Sequence, residues 1–372
     1  MNDNPLKELS KRGQSIWLDY IRRDLFDTGK LRQLIENDEV KGMTSNPSIF
    51  ETAIAKSTLY DKTILSLTQN NKNINEIYES ITQNDVLKAA DEFLPIYEHS
   101  KAHDGYVSLE VNPHLAHDPI DTLNEARRLW NTLNRPNILI KVPATIEGLT
   151  AIRQLIREGI NVNATLLFSL DRYKEVAEAY IDGLEDRVEL GLPLHNVASV
   201  ASFFLSRIDS EIDPIEAKFL ASGGEKNHFA TNIRGEVAIS SAKIAYKIYK
   251  SLFNSERFVK LVHLGATPQR LLWASTKTKN PDYSDIKYVD ALIGRNTINT
   301  IPLETLEAYR DHGKPASRLD DHLEMASWVL SELPELGINL KDITTKLETD
   351  GLEKFIVSFD KLLDAIKIKA SR

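Results

Sequence analysis

Eight short β-like runs recur along this chain, and helical stretches separate them. Each run is apolar and bounded by turn residues or prolines, as the buried strands of a parallel sheet are. The runs cover residues 15–20, 40–44, 106–111, 137–143, 161–168, 197–205, 271–275 and 288–293. Eight strands alternating with helices favour a closed barrel over an open doubly wound sheet, which usually has fewer strands and a glycine-rich first turn. We therefore predict an α/β fold of the (β/α)8 TIM-barrel type with additional helices.

Several of the intervening helices have recognisable ends. One begins after Thr145, a favourable N-cap, and stops at Gly159. A second begins near Ser169 and ends before Gly191. The phrase Ser222-Gly223-Gly224-Glu225-Lys226 lies between helical stretches and predicts a turn.

No linker rich in proline, glycine or serine divides the chain, so residues 1–372 are predicted to form a single barrel domain. The longest segments between strands lie near residues 45–105 and 208–265, and we expect them to be helical insertions that decorate the barrel. A C-terminal helix is predicted near residues 340–366. It could cover the barrel mouth or pack against its side, and the sequence does not decide between these positions.

The composition narrows the classes of function. The chain has 372 residues with a net charge of -8 and no long basic block, so nucleic acid and anionic membrane surfaces are poor candidate partners. The absence of cysteine excludes disulfides, thiolate nucleophiles and cysteine-ligated metal sites. The first residues lack the apolar stretch of a signal peptide, and no window approaches the length of a membrane span. We expect a cytoplasmic protein without a membrane partner.

One charged residue stands in a run that otherwise has none. Lys141 lies at the C-terminal end of the apolar run 137–143. Removal of water disfavours the ammonium form of a buried lysine, and the free amine can condense with a ketone to form a Schiff base. The alternative is a strand-end lysine whose apolar stem is buried and whose charged end reaches water.

Polar residues at the ends of other predicted strands favour the chemical interpretation. In a barrel the C-terminal strand ends converge on one opening, where active sites lie. The residues at these ends are Asp19, Asn46, Glu110, Asn163, Thr165, Ser202, Arg207, Ser275 and Lys277. Five of these residues have a structural alternative: Asn46 can cap a helix, Asp19 can pair with Arg22 or Arg23, Asn163 and Thr165 can satisfy each other, and Glu110 can cap a loop. One shared site explains so many buried polar residues better than separate accidents do.

Two phrases resemble the signature motifs of the transaldolase family. They are Thr44-Ser45-Asn46-Pro47-Ser48, and Ile138-Leu139-Ile140-Lys141-Val142-Pro143-Ala144-Thr145. Supporting phrases in the same order lie at residues 107–111, 160–169 and 201–207. The resemblance spans nearly the whole chain, and the phrase at 274–281 is most similar to the longer bacterial subgroup of this class I Schiff-base aldolase superfamily.

The resemblance implies a transferase of the pentose phosphate pathway. Such an enzyme moves a dihydroxyacetone unit from sedoheptulose 7-phosphate to glyceraldehyde 3-phosphate, giving erythrose 4-phosphate and fructose 6-phosphate, without a cofactor or metal. Lys141 would form the Schiff base, and Asp19 would take the proton from the C4 hydroxyl. Glu110 and Thr165 would position a water that carries protons.

The same resemblance implies the substrate-binding residues and partners. Asn46, Asn163 and Ser202 would hold the three-carbon fragment. Arg207 would bind the phosphate, with Ser275 and Lys277 opposite, and Lys277 departs from the arginine that other branches often carry there. The expected partners are sugar phosphates, with a homo-oligomer possible and the preferred donor and acceptor left open.

Three alternatives compete with this interpretation. A fructose-6-phosphate aldolase would release free dihydroxyacetone, but those enzymes resemble each other in having glutamine in place of Glu110 and tyrosine in place of Phe204. A non-catalytic sugar-phosphate-binding protein would have kept the barrel and lost turnover. A metal hydrolase is suggested by His114, His117 and Asp118, although no third convergent ligand is visible beside the two histidines.

Overall fold

The computed structural model describes residues 4–222 and 227–371 and contains a closed barrel of eight parallel strands. Each strand pairs with the next one along the chain, and the eighth closes on the first. The strands are β1 (Gln14–Asp19), β2 (Val40–Thr44), β3 (Val107–Glu110), β4 (Ile138–Pro143), β5 (Val162–Leu167), β6 (Ser199–Phe204), β7 (Arg270–Ala274) and β8 (Thr297–Ile301). The predicted (β/α)8 fold with additional helices is confirmed.

Helices connect and surround these strands. They are α1 (Pro5–Lys11), α2 (Asp24–Asp27), α3 (Lys30–Asp38), α4 (Pro47–Ala55), α5 (Asp61–Gln69), α6 (Ile74–His99), α7 (Pro119–Leu133), α8 (Ile146–Glu158), α9 (Leu170–Glu189), α10 (Ser206–Ser222), α11 (Asn227–Ile233), α12 (Val237–Phe253), α13 (Glu256–His263), α14 (Lys287–Ala291), α15 (Leu303–His312), α16 (Leu323–Glu332) and α17 (Leu340–Ala370), with 3-10 turns at Pro113–Leu115 and Leu333–Leu336. Among the described residues, no helix is both long and apolar enough to span a membrane.

Local capping signals determine the helix ends that the sequence predicted. The Thr145 hydroxyl accepts a hydrogen bond from the Gly148 amide at the start of α8, and Gly159 ends that helix with φ 85°. The Ser169 hydroxyl caps α9 in the same way. The turn predicted at 222–226 falls largely on residues 223–226, which lie outside the described part of the chain.

The predicted eighth strand is wrong. Residues 288–293 fall on α14 and the turn after it, and β8 lies further along the chain. A short apolar run fits a buried helical turn as well as a strand, so length and composition alone misassign it. The true strand reads Thr297-Ile298-Asn299-Thr300-Ile301, and its polar residues hide the apolar signal although all five are buried.

The parallel register places the polar strand-end residues side by side. Glu110 of β3 pairs with Lys141 of β4, and Lys141 pairs in turn with Asn163 of β5. The register of β5 against β6 shifts between Ala164 and Leu167, and Leu166 has a left-handed φ of 61°. Irregularities of this kind change the direction of a side chain or end the pairing of two strands.

The C-terminal helix α17 lies over the mouth of the barrel. It packs against α4, α5, α6 and α10 and touches β5. The Lys369 ammonium donates to the Ser57 carbonyl at 2.8 Å, and Ser48 and Ser358 share a hydrogen bond of 2.7 Å. The structure therefore resolves the position that the sequence left open. The single-domain organisation stays a prediction.

Candidate active site

A cavity of about 170 Å³ opens at the C-terminal ends of the strands. Eight of the ten predicted site residues line it, namely Asp19, Asn46, Lys141, Thr165, Ser202, Arg207, Ser275 and Lys277. The other two, Glu110 and Asn163, form hydrogen bonds with Lys141 and Ser202 respectively. The barrel thus brings all ten together, and the roles assigned to them stay predictions.

Lys141 is buried, with its side chain 5% exposed. The Nζ atom donates to the Ser45 carbonyl at 3.1 Å and to Glu110 Oε2 at 3.3 Å. It also lies 5.4 Å from the centre of the Phe355 ring, which α17 contributes. The ammonium is held by these groups inside the barrel and does not extend along the surface, so the arrangement differs from the snorkelling alternative.

Glu110 is suited to carry protons near neutral pH. Burial raises the pKa of this carboxyl to about 7, although the Lys141 ammonium opposes the rise. Oε1 is buried and has no hydrogen-bond partner among the described residues. Since buried polar atoms normally have a partner, this oxygen is available to substrate or to a bound water. The loop-capping role falls instead to Asn112, whose side chain accepts from the His114 amide.

Asp19 faces the cavity from the end of β1. Thr44 Oγ1 donates to Asp19 Oδ1 at 2.7 Å. Burial raises the pKa of Asp19, with Thr44, Lys141 and Lys279 acting in the opposite direction. The predicted structural alternative is wrong, because Arg22 pairs with Asp24 and Arg23 with Asp85.

The polar residues of β5 and β6 form a short hydrogen-bonded chain. Ser202 Oγ donates to Asn163 Oδ1 at 2.7 Å, and Asn163 Nδ2 donates to Ser108 Oγ at 3.0 Å. Asn163 and Thr165 therefore do not satisfy each other. Thr165 Oγ1 is buried and has no partner in the described part of the chain, so it can bond a ligand.

Asn46 fulfils its structural alternative and also reaches the site. Its Oδ1 accepts from the Ile49 amide at 3.0 Å and caps α4. The same side chain lines the cavity, where its amide nitrogen is a potential donor. Capping and binding are compatible here because they use opposite ends of one amide.

The rim of the cavity is cationic. Arg207 is half-buried, and burial lowers its pKa while Asp350 opposes that change. Its Nη1 atom is buried and has no hydrogen-bond partner among the described residues. Ser275 has a φ of 55°, and its hydroxyl lies 2.9 Å from that of Ser206.

Two lysines, Lys277 and Lys279, also line the cavity. Lys277 forms an ion pair with Glu304. Lys279, which the sequence analysis did not single out, lines the same cavity. Partial burial, followed by the charges of Lys277 and Arg207, lowers the pKa of Lys279. The alternation Lys277-Thr278-Lys279 could have revealed this residue, whereas no local signal marks Phe355 as part of the site.

The histidines of the metal-hydrolase alternative do not converge. His114 Nε2 lies 2.8 Å from Asp360, and His117 Nδ1 lies 3.2 Å from Glu147. Asp118 caps α7 by accepting from the Ile120 and Asp121 amides. Over residues 4–222 and 227–371, no three histidine or acidic residues are placed to share a metal ion.

Sequence comparison agrees with this geometry. The profile of the family described as Transaldolase/Fructose-6-phosphate aldolase matches residues 16–366. A transaldolase of Trichodesmium erythraeum is 44% identical over 376 residues, covering 100% of this chain and 99% of the relative. A transaldolase of Thiobacillus denitrificans is 44% identical over 363 residues, covering 98% of this chain and 99% of the relative. A transaldolase of Mycolicibacterium smegmatis is 44% identical over 367 residues, covering 98% of this chain and 97% of the relative. The chain therefore belongs to the transaldolase/fructose-6-phosphate aldolase family.

Proposed function

We propose that this protein is a transaldolase that moves a dihydroxyacetone unit from sedoheptulose 7-phosphate to glyceraldehyde 3-phosphate. The products are erythrose 4-phosphate and fructose 6-phosphate. The observation that carries the proposal is the buried Lys141 ammonium, which contacts Glu110 inside a cavity with a cationic rim. Similarity to relatives named transaldolase along their full length supports the same assignment.

The first half of the reaction builds the Schiff base. The free amine of Lys141 attacks the donor ketone at C2, and the resulting carbinolamine loses its hydroxyl as water. Protonated Glu110 supplies the proton for that loss. The unpartnered Glu110 Oε1 and Thr165 Oγ1 atoms are suited to hold the water that carries protons to and from the site.

The second half breaks and re-forms a carbon–carbon bond. Asp19 takes the proton from the C4 hydroxyl, the C3–C4 bond breaks, and its electron pair moves into the iminium to give an enamine. The C4 hydroxyl carbon leaves as an aldehyde. Asn46 and the Asn163–Ser202 pair hold the enamine until the acceptor aldehyde arrives and the steps reverse. The acceptor or donor phosphate is bound at the rim by Arg207, with Ser275, Lys277 and Lys279 lining the same cavity.

Reductive trapping tests the nucleophile. Borohydride added with fructose 6-phosphate should fix a three-carbon adduct on Lys141, and Lys141→Arg should abolish trapping while keeping the charge. The matched control is Lys243→Arg, because Lys243 is also buried but donates to the Asp321 carbonyl and does not line this cavity. An adduct on any other residue in the wild-type protein would contradict the assignment.

The aldolase alternative has one observation in its favour, since the family description includes fructose-6-phosphate aldolase. Incubation of fructose 6-phosphate without an acceptor separates the two activities. A transaldolase should release free dihydroxyacetone much more slowly than it transfers the unit to erythrose 4-phosphate. Equal rates would favour the aldolase, and binding without any trapped adduct would favour a non-catalytic protein. Cytoplasmic location and homo-oligomer formation stay predictions.

A further inference from the structure

Gly351 lies inside α17, one turn before Phe355, on the face that covers the barrel mouth. A methyl group on its Cα would lie 3.1 Å from Arg207 Nη1, 3.2 Å from Leu166 Cδ2 and 3.5 Å from Phe168 Cε2. Comfortable contacts between heavy atoms are about 3.5–4.0 Å. Glycine is unfavourable in a helix interior, so the close approach of the helix backbone gives a reason for its presence.

The neighbours of Gly351 enclose the Arg207 guanidinium. Arg207 Cζ lies 5.6 Å from the centre of the Phe204 ring, and Phe204 packs against Phe168 with ring centres 5.2 Å apart. Leu166, which has a left-handed φ at the irregularity in β5, touches the same point of the helix. Packing thus surrounds the guanidinium on the side of the strands and on the side of α17.

Within residues 4–222 and 227–371, no carboxylate forms a hydrogen bond with the buried end of Arg207. Its Nη1 atom has no hydrogen-bond partner among the described residues. The nearest acid along α17 is Asp350, which accepts from Lys346 at 2.9 Å, and the same ammonium bonds Glu211 of α10 at 2.9 Å. The charge of Asp350 acts on Arg207 without a hydrogen bond to Nη1, so packing restrains this end of the guanidinium, and Gly351 contributes the helix side of that packing.

We propose that Gly351 is a positioning residue for Arg207 and that α17 thereby forms part of the phosphate-binding site. The inference rests on the proposed function, in which Arg207 binds the substrate phosphate. A side chain at position 351 would push the guanidinium by a few tenths of an ångström. Charge-assisted, bidentate phosphate recognition depends on the position and plane of that group.

The test is Gly351→Ala, assayed with glyceraldehyde 3-phosphate and with unphosphorylated glyceraldehyde as acceptors. We expect the KM for the phosphorylated acceptor to rise about tenfold, with kcat nearly unchanged, because misplacement of a binding group by less than 1 Å weakens its contacts. The KM for glyceraldehyde should not change. The matched control is Thr349→Ala, an exposed position in the same helix, which should leave both KM values as in the wild type.

A double-variant comparison separates this inference from the proposed function. In an Arg207→Ala background, Gly351→Ala should cause no further rise in KM for the phosphorylated acceptor. An additive rise would overturn the positioning role, as would an unchanged KM in Gly351→Ala when Arg207→Ala alone raises it. If Arg207→Ala itself leaves KM unchanged, the proposed phosphate role of Arg207 fails first.

If Gly351→Ala folds poorly, thermal unfolding of this variant in the wild-type and Arg207→Lys backgrounds still tests the proposal. Lysine has a slimmer side-chain end than arginine and leaves room for the added methyl, so Gly351→Ala in an Arg207→Lys background should fold and match the KM of Arg207→Lys alone. Failure to fold in both backgrounds would show that the added methyl group clashes mainly with Leu166 and not with Arg207, and this result would overturn the proposal.

Discussion

Lys141 and Glu110 form one buried pair at the centre of the cavity. Their side chains are 5% and 4% exposed, and Nζ lies 3.3 Å from Oε2. Moving one proton from the ammonium to the carboxylate leaves the total charge of the pair unchanged. The state with a neutral amine and a protonated carboxyl combines the nucleophile and the proton donor that Schiff-base formation needs.

Glu110→Gln should change the pH profile of Schiff-base formation. The pKa of Glu110 is about 7, so the carboxyl of the wild-type protein is deprotonated as the pH rises through that value. It can then no longer donate a proton, and the trapping rate should fall. The amide cannot titrate. The variant should therefore be slower by roughly 10²-fold to 10⁴-fold, the usual size of general acid catalysis, and its inflection near neutrality should disappear. Borohydride trapping rates from pH 5 to pH 9 measure both effects, and an inflection that persists would assign it to another group.

Lys277→Ala and Lys279→Ala should have unequal effects on phosphate binding. Lys277 already pairs with Glu304, while Lys279 lines the cavity with a lowered pKa caused by partial burial and by neighbouring cations. We expect Lys279→Ala to raise the KM for glyceraldehyde 3-phosphate about tenfold, in the range of one charge-assisted hydrogen bond, and Lys277→Ala to change it little. The reverse order would show that Lys277 leaves Glu304 to bind substrate.

At the scale of elements, strands and one distant helix supply different parts of the site. The register of β3, β4 and β5 aligns Glu110, Lys141 and Asn163, and it follows from neighbouring strands that pair in order. The helix α17 adds Phe355 above Lys141. The strands therefore provide the groups to which the proposed function assigns the chemistry, and the helix provides an apolar ring beside them.

Phe355→Ala should make the enzyme lose its three-carbon unit to water. Removing the ring opens the space beside Lys141, and water that enters can hydrolyse an intermediate that a closed site protects. We expect the ratio of dihydroxyacetone released to dihydroxyacetone transferred to rise several-fold, with a stability loss of about 3–5 kcal/mol because the ring is buried. Phe355→Leu keeps most of the apolar volume and is the control. A ratio unchanged in the alanine variant would show that the helix does not protect the intermediate.

At the scale of the whole molecule, the candidate active site and a buried ion pair lie at opposite ends of the barrel. The cavity occupies the C-terminal strand ends, and a buried ion pair between Arg270 and Asp104 lies at the opposite end, with a distance of 2.9 Å. Asp104 also accepts from the Ser15 hydroxyl and from the Trp17 indole nitrogen. These contacts connect β1, β7 and the segment before β3.

Asp104→Ala should destabilise the protein without changing its chemistry. The variant leaves Arg270 buried without its carboxylate, so we expect a loss of about 3–5 kcal/mol in the free energy of unfolding and an unchanged kcat for the folded protein. Burial opposes the charge of Asp104, but Arg270, His103 and Ser15 outweigh it and lower the pKa. The stability contribution is therefore present above the unfolded-state pKa of about 3.9, and it is lost as the pH falls through the lower folded-state value.

Denaturant unfolding at several pH values measures this difference. Asp320→Ala is the control, since Asp320 is an exposed partner of Lys250 and such pairs contribute about 0–1 kcal/mol. A large fall in kcat for the Asp104 variant would indicate that the two ends of the barrel are coupled.

Much of this architecture follows from local signals in the sequence. Alternating apolar and amphipathic segments predicted seven of the eight strands, because burial on both faces leaves a continuous apolar run. Thr145 and Gly159 mark the ends of α8 because capping involves only neighbouring backbone groups. Local signals did not predict β8, because its threonines and asparagine do not form an apolar run. They are buried only because β8 pairs with β1 and β7 in the folded barrel.

The sequence by itself determined the strand that carries Lys141, the polar strand ends and the barrel that brings them together. Only the tertiary structure decided what closes the cavity and how the charges at its rim are shared. Through the packing of α17, Phe355 lines the cavity and Gly351 lies next to Arg207. Lys277 differs from Lys279 because Glu304 forms an ion pair with Lys277. These contacts join residues far apart in the chain, and no periodicity or capping pattern encodes a distance between such residues.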